Sequence, residues 1–153
     1  MRRIIAMPKI IETAICENCE EDVEYKLGKI KKKLMMRGIE IEVELYRGFC
    51  NQCGHEVYPA KYDKINYLIV HDEYKKKVGL LTSEDIIRIR KKRGMSQRDL
   101  ANFIQCGEKN IARYERGAIQ DRVFDYLIRL VDDDEAYEQM KKLNKSISFK
   151  PAQ

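Results

Sequence analysis

The sequence predicts an α+β chain made of a small N-terminal β domain and an all-α domain of five helices. Three observations predict it. Apolar residues alternate with period two before about residue 63 and recur with helical period after it. Four of the five cysteines form two pairs of identical spacing, both inside the β part. The second half is punctuated by helix caps and glycines at close intervals.

In the β part, Ile39, Ile41, Val43 and Leu45 alternate with Glu40, Glu42 and Glu44, the pattern of a half-buried strand with an acidic outer face. Val23, Tyr25 and Leu27 form a shorter alternating run. The Lys-rich stretch from Lys29 to Gly38 is expected to be the connection between two antiparallel strands. Ile65, Leu68 and Ile69 then mark a trailing helix ended by Val78-Gly79. The expected domains are residues 1–77 and 83–153, with 78–82 as linker.

Length and charge agree with two small cores. A chain of 153 residues with 36% charged side chains has little apolar material for one large core, and a core below about 70 residues often needs a staple such as a metal. No apolar run approaches the roughly 18 residues that span a bilayer. Met1 to Ile11 is interrupted by Pro8 and Lys9 and lacks the form of a secretion signal. The expected location is the cytoplasm.

Cys16-Glu17-Asn18-Cys19 and Cys50-Asn51-Gln52-Cys53 are separated by 30 residues. A Cys-x-x-Cys turn aims both sulfurs at one point, and two such turns supply the four thiolates of a tetrahedral Zn2+ site. Gly54 follows the second pair, where a backbone without Cβ exposes its N–H groups to sulfur. Iron in the same tetrathiolate, as in an electron carrier, is the alternative metal. Disulfides are disfavoured in a reducing compartment. With four protein ligands the site is closed and structural. His55 and His71 stand outside it.

In the helical part, Thr82 or Ser83 can cap a helix that carries Ile86, Ile87 and Ile89 and ends at Arg90-Lys91-Lys92-Arg93-Gly94. Ser96-Gln97-Arg98-Asp99 opens the next helix as a capping box with Asp in place of Glu. Leu100, Ala101, Phe103 and Ile104 are its buried face. Cys106-Gly107 is a turn, with Cys106 expected in the core. Glu108 to Arg116 is a third helix closed by Gly117. Val123, Phe124, Leu127, Leu130 and Val131 form an apolar stripe on a fourth, and Asp132 to Glu135 precede the last. That stripe completes the domain and is also a candidate dimer surface.

Ser96-Gln97-x-x-Leu100-Ala101 followed by Ile111-Ala112-Arg113-Tyr114-Glu115-x-Gly117 resembles the helix-turn-helix of phage-repressor-type (XRE) regulators. Together with the upstream cysteine pairs, residues 16 to 130 resemble the zinc-finger/helix-turn-helix antitoxins of the MqsA (YgiT-type) family. That resemblance implies an N-terminal zinc domain that binds a toxin, typically an RNA-cleaving protein. It also implies a C-terminal domain that dimerises and binds a palindromic operator in double-stranded DNA. In the best-known member of the family an Asn and an Arg of the reading helix contact bases. The Arg corresponds to Arg113, whereas Lys109 stands at the Asn position with Asn110 beside it. Glu20 stands where the family prefers Gly after the first cysteine pair.

The residues support DNA binding independently. Residues 82–117 carry nine Lys/Arg against five Asp/Glu, a net of +4 within a chain whose total is +5. Lys109, Asn110 and Arg113 can share one exposed helix face, where Arg suits guanine and Asn suits adenine. Gln97 and Arg98 start the preceding helix, suited to clamping phosphate. Arg90, seven residues before Gln97, is expected to pair internally with Glu115. No nucleophile–base pair is evident, so the expectation is a regulator and not an enzyme. A free-standing transcription factor of the same build, with no toxin partner, is the alternative function.

Overall fold

A computed structural model describes residues 12–146. They fall into two compact units, one holding residues 12–33 and 42–67 and the other residues 34–41 and 68–146. The α+β class stands: a four-stranded sheet precedes six helices.

The sheet runs in the order β1 (Thr13–Cys16), β2 (Glu21–Met36), β3 (Ile39–Cys50), β4 (Glu56–Val57). β1 pairs antiparallel with β2, Cys16 opposite Glu21, and β3 with β4, Gly48 opposite Val57. The first unit's small core is Ala14, Cys16, Val23, Cys50 and Val57, with Tyr25 and Cys19 against it. Gly48 makes that closure possible: a Cβ there would lie 2.6 Å from Val57 and 2.8 Å from Tyr25.

The expected connection over Lys29–Gly38 is corrected by the structure. β2 continues to Met36, and only Arg37 and Gly38, with φ of 49° and 80°, form the turn. Two residues at positive φ are what a tight hairpin turn requires, because its twist then matches that of the strands. The lysines are the outer face of a strand. Leu27, Lys29, Lys31, Lys33 and Met35 are exposed, while Gly28, Ile30, Leu34 and Met36 are partly buried. Lys29 reaches Glu44 of β3 at 3.5 Å, one rung of a cross-strand charge pairing.

The helices are α1 (Asp63–Lys77), α2 (Ser83–Lys92), α3 (Gln97–Phe103), α4 (Glu108–Glu115), α5 (Arg122–Asp132) and α6 (Asp134–Ser146). Ile86, Ile89, Leu100, Ala101, Ile104, Ile111, Ile128 and Val131 build the helical core. Cys106 joins it, and burial pushes its thiol pKa up, as suits a packing residue. Thr82 and Ser96 cap α2 and α3, and each box is closed by the carboxylate of Asp85 or Asp99, which accepts from the cap residue's own N–H. The α5 stripe splits. Val131 and Ile128 are buried, whereas Val123, Tyr126 and Leu130 are exposed on the other side.

Residues 78–82, the expected linker, are fastened to α5. The Leu81 N–H donates to Asp125 at 2.7 Å, Gln120 donates to the Leu81 carbonyl at 2.7 Å, and Arg129 donates to the Gly79 carbonyl at 2.9 Å. The chain reverses there at Gly79, whose φ of 73° closes α1, with the Leu80 N–H returning to the Lys75 carbonyl. Among the described residues, no helix is long and apolar enough to cross a membrane.

Candidate metal centre and nucleic-acid interface

Each cysteine pair occupies the turn of a hairpin. Cys16 ends β1 and Cys50 ends β3, so each first cysteine is anchored by a strand and its partner lies on the turn that follows. The two turns share one geometry. The Glu20 N–H bonds the Cys16 carbonyl at 2.8 Å, and the Gly54 N–H bonds the Cys50 carbonyl at 2.9 Å. Both residues sit at positive φ, 57° and 77°. Glu20 thus does with a side chain what Gly54 does without one. The left-handed conformation costs an ordinary residue about 1 kcal/mol, a cost partly offset because Gly loses more entropy on folding. Glu20→Gly is expected to raise the unfolding free energy of the zinc-loaded first unit slightly, by up to about 1 kcal/mol, read as a higher midpoint in a denaturant titration. A lowered midpoint would show that the Glu20 side chain holds the turn.

The four sulfurs converge. Sγ of Cys16 lies 3.6 Å from Sγ of Cys53, Sγ of Cys19 lies 3.9 Å from that of Cys50, and all four lie within 4.8 Å of one another. A tetrahedron of thiolates at about 2.3 Å from zinc has edges of about 3.8 Å. The quartet therefore fits one structural Zn2+. None of these cysteines is in a disulfide. The backbone N–H groups of Gln52 and Cys53 point at Sγ of Cys50, 3.3 and 3.5 Å away. The Cys53 thiol is drawn down to about 6 by its hydrogen bond to the His55 backbone and then by the neighbouring sulfurs. Cys19 is pushed up, chiefly by Cys53 beside it. When bound, the metal would hold all four sulfurs as thiolates and tie the two hairpins together.

The second surface is α4. Glu108, Lys109, Arg113 and Arg116 are exposed and Ala112 half-exposed, whereas Ile111, Tyr114 and Glu115 face the core. The structure brings Lys109 and Arg113 onto one face, and neither side chain has a hydrogen-bond or ion-pair partner among the described residues. Asn110 is half-buried on the flank, its amide packed where a Cβ on Gly107 would be, at 3.4 Å. Arg98, on α3, is exposed and pairs with Glu108 at 3.2 Å. Gln97 donates to Glu115 at 2.6 Å. Arg90 holds the same carboxylate through Nε and Nη2, as expected. Arg88, Lys92 and Arg93 are tied to Asp132 or Asp134 at the α5–α6 junction. Much of the basic charge counted over 82–117 is thus internally paired.

Residues outside the expected set hold α4 in place. The Tyr114 carbonyl near its C-terminus accepts from Ser83 Oγ at 3.0 Å and from Lys75 Nζ at 3.4 Å. Lys75 is fully buried, and its ammonium is matched by Asp72 at 3.3 Å. Desolvation lowers its pKa, with Asp72 opposing. A cation there also suits the negative end of the helix dipole. His71 bonds the Gly117 carbonyl at 2.9 Å. A lysine inside a Lys-Lys-Lys run carries no sequence mark that sets it apart from its neighbours.

A family model described as the antitoxin component of the bacterial toxin-antitoxin system, MqsA, matches residues 16–140. No curated protein matches the chain. The matched span starts at the first cysteine of the metal quartet and runs through α4 into α6, so it covers both surfaces. The chain belongs to the MqsA antitoxin family.

Proposed function

We propose that this chain is the antitoxin of a toxin–antitoxin pair and a sequence-specific regulator of its own operon. In this reading α3 and α4 are a helix-turn-helix, and α4 enters the major groove of double-stranded DNA. Two copies meet through Val123, Tyr126 and Leu130 of α5, spaced i, i+3, i+7, and read a palindromic operator. The zinc unit binds the toxin, as family membership suggests. The observation that carries the DNA reading is the pair of uncommitted cations, Lys109 and Arg113, on the exposed face of a helix whose other face is packed. Arg98 serves the phosphate backbone. Its guanidinium has five donors, enough for Glu108 and a phosphate together. Gln97 and Asn110 support the edge of this surface.

Arg113 and Arg98 are expected to fail differently. Arg113→Ala should abolish the preference for operator over scrambled duplex, because a bidentate base contact contributes about 1–3 kcal/mol of discrimination. Much of the weak general binding should remain. Arg98→Ala should weaken random DNA as well as operator, with a salt slope shallower by roughly one unit. Titrations of both variants at several salt concentrations read this directly. If Arg113→Ala lowered both affinities by the same factor, α4 would not be the reading helix.

A further inference from the structure

The exposed face of α4 carries one anion among its cations. At about 100° per residue, Glu108, Ala112, Arg116, Lys109 and Arg113 fall within an arc of about 140°. The acids of residues 82–117 otherwise have visible tasks or lie elsewhere. Asp85 and Asp99 close capping boxes, Glu115 is buried against Arg90 and Gln97, and Glu84 is in the first turn of α2. Glu108 is at the first position of α4, with its side chain 61% exposed. Its Oε1 is held 3.2 Å from Nη2 of Arg98. Its Oε2 has no hydrogen bond among the described residues.

A carboxylate turned to phosphate would lower affinity for every sequence alike. Turned to the floor of the major groove, it can accept only from an amino group, cytosine N4 or adenine N6, and cytosine suits it better because the adenine N7 acceptor beside N6 repels a group that has no donor of its own. We propose that Glu108 is a specificity-determining reader of a C·G pair in the operator half-site. Oε2 accepts from cytosine N4, and Arg98 is the positioning residue that fixes the carboxylate through Oε1. Ala112, one turn on and small, leaves room for the approach. This inference rests on the reading of α4 as the groove helix.

The test is selection of bound duplexes from a randomised pool by the full-length protein, followed by titration of single-base variants of the selected site. Wild type should prefer C at one position per half-site. Glu108→Gln replaces the acceptor pair with a carboxamide, which pairs bidentately with adenine. Preference at that position alone should therefore move from C to A, by roughly tenfold or more. Glu108→Ala should lose preference at that position and bind random duplex more tightly, because one negative charge facing the phosphates is gone. Arg98→Ala should relax the same position on top of its general weakening. A merely structural role for Glu108 would move the thermal midpoint and leave the base preferences alone. If wild type selects a site and both Glu108 variants keep its preferences at every position, the proposal is overturned while α4 remains the reading helix. If wild type selects no site, the reading of α4 itself fails.

Discussion

Cys50→Ser is expected to release the zinc and unfold the first unit while leaving the helical unit folded. Cys50 is both ligand and core. It is 4% exposed, packs with Ala14, Cys16, Val23 and Val57, and its sulfur receives two backbone N–H groups. That core is small, so the metal carries much of the unit's stability. Structural zinc in a comparable small module contributes on the order of 10 kcal/mol, several times the net stability such a core supplies alone. Metal analysis should fall from about one zinc per chain to near zero. Hydrogen exchange should become fast in β1, β4 and the parts of β2 and β3 that belong to the first unit, and stay slow in α2 to α5, whose core is built from separate residues. Cys106→Ser should keep its zinc, because Cys106 is packed in the helical core. Full zinc retention by Cys50→Ser would refute the ligand assignment.

How much of this was legible in the sequence follows from how local each signal is. The cysteine quartet was legible because a Cys-x-x-Cys turn sets its own sulfur geometry, and the cap at Ser96 because a capping box is a four-residue pattern, whereas at α2 the sequence left Thr82 and Ser83 both open and the structure makes Thr82 the cap. The length of β2 was hidden. Consecutive lysines at 31, 32 and 33, all exposed, erase the alternation that marks a strand. The fastening of residues 79–81 to Asp125, Gln120 and Arg129 was hidden too, since its partners lie some 40 to 50 residues away. For DNA contacts, counting charge over residues 82–117 overstated the free cations. Arg88, Lys92 and Arg93 are neutralised by Asp132 and Asp134, acids outside the counted window. The exposed face of α4 comes through only when its buried side is known, which is how Glu108 joins that face and Asn110 leaves its centre.

Arg90→Ala should produce the largest loss of stability in the helical unit of any single change on its polar surface. The Glu115 side chain is 5% exposed and that of Arg90 15%. Arg90 donates twice to Glu115 and, through Nη1, to the Met95 carbonyl at 2.9 Å. The pair therefore ties α2 to the end of α4 and to the turn before α3. The carboxylate raises the Arg90 pKa further, so the cation stays charged at any pH at which the protein folds. Removing it leaves Glu115 buried with Gln97 as its remaining donor, at a cost of about 3 kcal/mol or more. In a unit of this size that lowers the thermal midpoint by on the order of 10 °C or more. The penalty comes from the stranded charge more than from any net worth of the pair. Arg90→Met combined with Glu115→Leu should therefore recover part of the loss, because apolar groups of similar volume often replace a buried ion pair at little cost. Recovery stays partial, since Gln97 and the Met95 carbonyl lose their partner. An Arg90→Ala protein with an unchanged midpoint and no DNA binding would place Arg90 on the DNA surface instead, and the end of α4 would then need another anchor.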